Sequence, residues 1–163
     1  MRVVSLFAGI GGIDLAFEQA GHEIVWANEK DKYAADAYRR NFPNTCLIED
    51  DIRNIHASTI PNMDILTAGF PCQSFSVMGY QRGFKDPRGN LFFEIARIAD
   101  EKQPQIIFLE NVRNLMNHDD GKTFMAIHNT LSELGYFIKY KVMSPHEYAN
   151  IPQIRERIFV VAF

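Results

Sequence analysis

The chain has 163 residues, 47% of them hydrophobic, with 17 Lys plus Arg against 20 Asp plus Glu and a net charge of −3. That length suits one domain able to bury roughly 70% of the surface its unfolded chain exposes, and the composition excludes disordered, collagen-like and disulfide-scaffold classes. The mild negative charge excludes a field that draws the whole surface to nucleic acid or anionic lipid, and two cysteines, Cys46 and Cys72, make neither a disulfide framework nor a zinc spacing, so a reduced, cytoplasmic protein without metal is expected.

Met1 to Ile13 imitates a signal peptide, with Arg2 ahead of an apolar run, but Asp14 interrupts it and no small-residue cleavage pattern follows, so it reads as mature structure. Val3 to Phe7 predicts a strand, Ala8-Gly9-Ile10-Gly11-Gly12 a tight turn, and Ile13 to Ala20 a helix closed by Gly21. A second strand follows at Glu23 to Ala27. A helix is predicted over Asp31 to Asn41, with Tyr33, Ala34, Ala37 and Tyr38 at helical spacing, and a short buried strand at Thr45 to Ile48. Met63 to Ala68 reads as the fourth strand, Leu91 to Ala99 as a helix, Gln105 to Leu109 as the fifth strand and Thr123 to Leu134 as a helix closed by Gly135. Tyr136 to Met143 and Arg157 to Phe163 are the last strands. No run is long and apolar enough to span a bilayer.

This alternation predicts an α/β fold: a mostly parallel seven-stranded sheet with helices on both faces and an antiparallel final hairpin. Ligands in such sheets bind at the carboxyl ends of the strands, which directs attention to the residues after Phe7, Ala27, Ile48, Ala68 and Leu109. The longest irregular stretch is Gly69 to Asn90, and a loop of that length in a compact domain is usually functional.

The glycines after the first strand fit a ligand-receiving turn, yet the dinucleotide fingerprint would need a third glycine where Asp14 stands, at a helix N-terminus that would otherwise receive a pyrophosphate. Glu29, twenty residues after Gly9, can accept from ribose hydroxyls, and Asp51 from an adenine amino group. Together they describe an adenosine site without a phosphate anchor, as S-adenosylmethionine requires. The competing reading makes the glycines a plain tight turn and Glu29 a solvated charge.

Cys72, in Gly69-Phe70-Pro71-Cys72-Gln73, lies in a loop at a strand end, where a side chain held by the scaffold can be a nucleophile; Cys46, in a predicted buried strand, reads as a small hydrophobe. Glu110 follows the fifth strand and would emerge at the same sheet edge, partly desolvated and suited to donate a proton or hydrogen bond. Arg155 and Arg157, two residues apart, would share one face of the last strand and could bind a base carbonyl, a phosphate or a carboxylate. Singly, each reads more simply as a loop cysteine, an exposed acid and a solvated strand edge.

Phe7-Ala8-Gly9-Ile10-Gly11-Gly12, Asn28-Glu29, Asp51-Ile52, Gly69-Phe70-Pro71-Cys72-Gln73, Gly83 to Phe93, Glu110-Asn111-Val112 and Gln153-Ile154-Arg155-Glu156-Arg157, in this order, resemble the DNA (cytosine-5) methyltransferases. The likeness runs the length of the chain and is greatest to bacterial modification methylases of the HhaI type, components of restriction-modification systems. It implies a Rossmann-like class I S-adenosylmethionine-dependent methyltransferase fold and methyl transfer to carbon 5 of a flipped cytosine in double-stranded DNA. Cys72 would form the covalent adduct, Glu110 and Arg157 would hold the base, and Arg155 would support them. Phe7, Gly9, Gly11, Gly12, Glu29, Lys30, Asp51, Ile52, Gly69, Pro71 and Leu91 would contact the cofactor. Lys30 departs from the pattern, standing where the HhaI enzyme has an adenine-stacking tryptophan. Gln73, Ser76, Arg82, Lys85 and Arg88 would meet DNA, in a stretch whose three basic residues against one acid make a local positive patch. The resemblance further implies that the target-recognition domain and a returning C-terminal segment lie outside residues 1–163, so that a second polypeptide carrying them is a candidate partner. A non-catalytic cofactor-binding subunit and an RNA cytosine-5 methyltransferase are the alternatives, the latter disfavoured by Phe70 where the RNA relatives usually have proline; a dehydrogenase is weaker still.

Overall fold

The computed structural model describes residues 1–71 and 91–163, which build a seven-stranded sheet. In chain order they form β1 (Arg2–Leu6), α1 (Gly12–Gln19), β2 (Glu23–Asn28), α2 (Lys32–Asn41), β3 (Cys46–Ile48), β4 (Ile65–Gly69), α3 (Leu91–Lys102), β5 (Ile106–Val112), α4 (Lys122–Glu133), β6 (Ile138–Met143), α5 (Pro145–Tyr148) and β7 (Arg157–Ala162). The strand order is β3-β2-β1-β4-β5-β7-β6. The first five strands pair in parallel, while β7 runs antiparallel to both β5 and β6. The order reverses between β1 and β4, the place where such sheets receive ligands.

Because side chains alternate across a strand, each inner strand feeds two cores. Val4 and Leu6 of β1, Leu66 and Ala68 of β4 and Ile107 and Leu109 of β5 pack with Phe92, Ile95 and Ile98 of α3 and Ile127 and Leu131 of α4. Val3 and Ile65 turn the other way and meet Ile24 and Phe17, the latter from α1. On that second face α2 packs Tyr38 and Phe42 against Ala27. Helices therefore cover both faces, as the nearly all-apolar central strands require.

Several elements depart from their predicted form. β3 is an edge strand of three residues, and Cys46 on it is exposed rather than buried; a local apolar run does not reveal that one side of the strand lacks a neighbour. On α2 the buried face is carried by Ala35 and Tyr38, with Tyr33 83% exposed, so the apolar phase sits differently from the predicted one. β5 continues through Glu110 and Asn111 to Val112 because β7, arriving from far along the chain, supplies partners Phe159, Ile158 and Arg157. The 3-10 turns at Ile52–Asn54, Ala57–Thr59 and Arg113–Met116, and the single helical turn α5, carry too few residues for periodicity to show them.

Candidate functional site

At the carboxyl ends of β1, β2 and β4 lies a cleft of about 260 Å³ lined by Phe7, Asn28, Glu29, Lys30, Asp50, Asp51, Ile52, Gly69, Phe70, Pro71 and Leu91. Phe7 follows β1 with φ +54, a left-handed backbone that a bulky side chain adopts only when its surroundings enforce it; the next residue, Ala8, donates its N–H to the Asn28 carbonyl at 3.0 Å. Glu29 bridges two segments. Its Oε2 accepts from the Gly9 N–H and its Oε1 from the Asp31 N–H, both at 2.8 Å. Across the cleft, Asp51 accepts from Arg53 Nε at 2.9 Å and Nη2 at 2.6 Å, and Lys30 Nζ stands 3.6 Å from it. The Arg53 guanidinium, with its backbone N–H and Lys30 adding to it, holds the Asp51 carboxyl well below the usual carboxylate range, so it faces the cleft as an ionised acceptor.

The glycines divide. Gly9 reaches the cleft through Glu29, but neither Gly11 nor Gly12 lines it. Gly11 caps α1 with φ +93 and lies under the Phe42 ring, while Gly12 opens the helix on the exposed side. Asp14, expected at the mouth of a helix N-terminus, instead turns inward, is fully buried and accepts from Tyr38 Oη at 2.6 Å. Burial pushes its carboxyl up, against the pull of Ser5 and Tyr38, and pushes the Tyr38 phenol up as well.

A second feature borders the cleft. Glu110 sits opposite Gly69 in the β4–β5 ladder, and a Cβ added to Gly69 would lie 3.5 Å from Glu110 Oε2 and 3.3 Å from Ile13 Cδ1, so the glycine keeps strand and carboxylate close. Arg157, the first residue of β7, brings its Nε to 3.0 Å from Glu110 Oε1, the two side chains being 20% and 25% exposed. Arg157 Nη1 also donates to the Glu156 carbonyl. The expected shared face with Arg155 does not form: Arg155 precedes β7, is exposed, and uses its backbone N–H on Ser144 Oγ at 3.2 Å. Cys72, Gln73, Ser76, Arg82, Lys85 and Arg88 lie outside the described residues.

Three polar residues of this region escaped the sequence reading as site residues. Asn28, buried, donates from Nδ2 to the carbonyls of Ile48 and Asp50 and so ties β2 to the chain that carries Asp51. Asp50 lines the cleft directly. Asn111, buried at the end of β5, donates to the Phe70 carbonyl at 2.8 Å and accepts from the Val112 N–H. An amide at a strand's last turns was the available signal, and it does not by itself distinguish a stitch from a solvated loop residue.

Apolar walls from Phe7, Ile52, Phe70 and Leu91, with the carboxylates of Glu29, Asp50 and Asp51, suit a flat base bearing a hydroxylated sugar. Lys30 is the one cation lining the cleft among the described residues, and it leans on Asp51. A larger cleft of about 330 Å³ borders the exposed Arg113–Glu156 pair and contains none of the predicted residues. Among the described residues no three His, Cys, Asp or Glu side chains gather as metal ligands, and no helix is long and apolar enough to cross a membrane.

The family model for C-5 cytosine-specific DNA methylase matches residues 1–163. The chain is 55% identical to the type II methyltransferase M.Bsp6I of Bacillus sp. (strain RFL6) over 165 aligned residues, covering 100% of this chain and 52% of that protein. It is 50% identical to the type II methyltransferase M.HhaI of Haemophilus parahaemolyticus, covering 100% and 49%. In structure it is similar to a mutant of Spodoptera frugiperda DNMT2, with a TM-score of 0.81 and 28% identity over 99% of this chain and 49% of that one. It is also similar to a putative DNA modification methyltransferase encoded within an Escherichia coli prophage, with a TM-score of 0.78 and 26% identity over 99% and 46%. The chain thus spans about half the length of the curated relatives it matches.

Proposed function

Because the chain belongs to the C-5 cytosine-specific DNA methylase family, we propose that it is the catalytic lobe of an enzyme that transfers a methyl group from S-adenosylmethionine to carbon 5 of cytosine in double-stranded DNA. One observation carries the reading: Gly69 both lines the nucleoside-sized cleft and stands opposite Glu110, so the cleft and the Glu110–Arg157 pair share one strand end, two residues before Pro71-Cys72. The cleft fits the cofactor. Glu29 offers ribose acceptors, ionised Asp51 an amino-group acceptor, and Phe7 and Leu91 apolar cover, while the absence of a cation cluster among the described lining residues suits a ligand without phosphates.

When bound, S-adenosylmethionine supplies an electrophilic methyl group. Cytosine carbon 5 is not nucleophilic on its own, so the Cys72 thiolate would add to carbon 6 and leave carbon 5 enamine-like. Glu110 would hold the N3 and amino edge of the ring, and the Arg157 guanidinium the carbonyl oxygen, where charge develops during addition. Transfer of the methyl group would leave S-adenosylhomocysteine as product, and loss of the carbon-5 proton to solvent would then expel the Cys72 thiolate and restore the ring. That approach is blocked inside a stacked duplex, so the base must leave the stack at a cost of a few kcal/mol. Arg155, exposed before β7, would support from the rim. Gln73, Ser76, Arg82, Lys85 and Arg88 would contact DNA, and sequence recognition would come from outside residues 1–163, on the same or a partner polypeptide.

The test incubates the protein, with and without a candidate recognition partner, with labelled S-adenosylmethionine and cytosine-containing duplex, using tRNA as the competing acceptor and 5-fluorocytosine DNA as a covalent trap. Wild type is expected to label duplex DNA and form the trapped adduct; Cys72→Ser is expected to do neither while still binding cofactor. No transfer by wild type with its partner, or equal transfer by Cys72→Ser, defeats the proposal.

A further inference from the structure

We infer that α2 is a clamp on the glycine turn: Tyr38, Asn41 and Phe42, from its C-terminal end, hold residues 8–14 in the shape that receives the cofactor, which makes Tyr38 and Asn41 positioning residues for cofactor binding. The inference rests on the cofactor reading of the cleft given above and adds to it a part of the chain that touches no ligand.

Three contacts grip the turn at successive points. Asn41 Nδ2 donates to the Ile10 carbonyl at 2.9 Å. The Phe42 ring fills the space over Gly11, where an added Cβ would come within 2.0 Å of Cε2. Tyr38 Oη donates to Asp14 Oδ2 at 2.6 Å, with both side chains fully buried. Tyr38 and Phe42 also stack, ring centroids 4.6 Å apart, so the two grips move together.

The turn's other holds are bonds from its backbone: the Gly11 N–H donates to the Ala8 carbonyl and the Leu15 N–H to the Gly11 carbonyl, both at 2.9 Å, and the Ala8–Asn28 and Gly9–Glu29 bonds lie at its start. To these α2 adds the three side-chain contacts. Phe7, Gly9 and Gly11 all adopt positive φ, at 54°, 57° and 93°; Ile10 is 61% exposed, and nothing lies within 4 Å of a Cβ at Gly9 or Gly12. Gly9 and Gly11 take positive φ at no steric cost, so the backbone there is free to sample other conformations and contacts must select this one, while at Phe7 the left-handed conformation itself is sparsely populated. The helix that grips the turn also holds the ribose-side carboxylate, because the Asp31 N–H that bonds Glu29 Oε1 belongs to the residue capping α2. A shift of α2 against α1 would therefore change the Gly9–Glu29 contact from both ends.

Plain core packing does not account for the arrangement. Asn41 is exposed, so its bond to Ile10 is not needed to satisfy a buried group. Asp14 is a costly core residue: Ser5 eases its charge, yet Oδ1 has no hydrogen-bond partner among the described residues, and an apolar side chain there would avoid that desolvation. What the carboxyl supplies is a directed anchor for the first turn of α1.

The experiment compares wild type with Asn41→Ala, Asn41→Asp and Tyr38→Phe, all well below their thermal midpoints. Amide exchange at residues 9–12 is read without ligand, and S-adenosylhomocysteine affinity is read by calorimetry. Loss of one neutral hydrogen bond predicts about a fivefold rise in Kd for Asn41→Ala. It also predicts exchange at Gly9 and Gly11 accelerated by a similar factor, little change in thermal midpoint, and unchanged kcat at saturating cofactor. Asn41→Asp, which keeps size but loses the donor, should match Asn41→Ala. Should Tyr38→Phe fail to fold, the surface Asn41 variants decide alone. Exchange at residues 9–12 that matches wild type in folded Asn41 variants overturns the clamp, as does faster exchange with unchanged affinity. If wild type itself binds no S-adenosylhomocysteine, the cofactor reading falls, and unaltered exchange would remove the clamp separately.

Discussion

Three neighbouring glycines, indistinguishable as letters, should respond to alanine in sharply different ways. Gly11→Ala carries two penalties. Its φ of +93 puts an L side chain in a left-handed conformation, costing about 1–2 kcal/mol. Its Cβ would sit 2.0 Å from Phe42 Cε2 and 2.8 Å from two more ring atoms, and the ring cannot swing aside because it is buried and stacked on Tyr38. Overpacking of that kind adds about 1–3 kcal/mol, so the variant should lose about 2–5 kcal/mol, a fall in thermal midpoint of roughly 4–20 °C for a chain of this size. Gly9→Ala, at φ +57 with nothing within 4 Å, keeps only the backbone penalty of about 1–2 kcal/mol. Gly12→Ala, in the first turn of α1 with open space around it, should lie between neutral and about 1 kcal/mol more stable. Urea unfolding followed by circular dichroism, with a shared m-value, measures all three. Repeating Gly11→Ala in a Phe42→Leu background should recover the packing part and leave the backbone part. Gly11→Ala costing no more than Gly9→Ala, or no relief in the Phe42→Leu background, would refute the placement of that ring.

Two further outcomes follow from the charged groups. Burial raises the Asp14 carboxyl, so the native state holds its proton more tightly than the unfolded chain. The group's stabilising contribution is therefore complete below the unfolded value of about 3.9 and is lost as pH rises through the raised native value. Asp14→Asn has no proton to lose and should gain on wild type between pH 4 and 8 in urea midpoint; parallel profiles would contradict the burial of a titrating carboxyl. Arg157→Ala leaves Glu110 without its 3.0 Å partner at the position assigned to the cytosine carbonyl. It should slow methyl transfer by about 100-fold or more while cofactor affinity stays within about twofold. An equal loss of cofactor binding would place Arg157 at the wrong site.

Much of this was readable along the chain. Apolar runs of four to six residues between helical spacings identified the parallel sheet, the rule that ligands gather at strand carboxyl ends selected Glu29 and Asp51, and the family resemblance added Phe7 and Gly69; all four line the cleft. Glu110 and Arg157 were named separately; that they form a pair required the antiparallel insertion of β7 beside β5. The same register drew Glu110 into the strand instead of a following loop and left Arg155 outside β7. Cys46 and Tyr33 misled for one reason: a residue's type indicates how it would behave if covered, and the cover comes from elements distant along the chain.

Local order thus sufficed for the kind and sequence of the strands and longer helices, because hydrophobic period and turn chemistry are set by residues within a few positions of each other. It also singled out Glu29 and Asp51, since carboxylates that meet a ligand in such a sheet stand just beyond strand ends. Only the packed structure decided which glycine is wedged beneath a ring, that Asp14 anchors a helix instead of facing a ligand, and that the far end of α2 steadies the turn. Those contacts join residues 24 and 31 positions apart. Their geometry depends on how two helices dock on one face of a twisted sheet, and no short-range pattern carries that information.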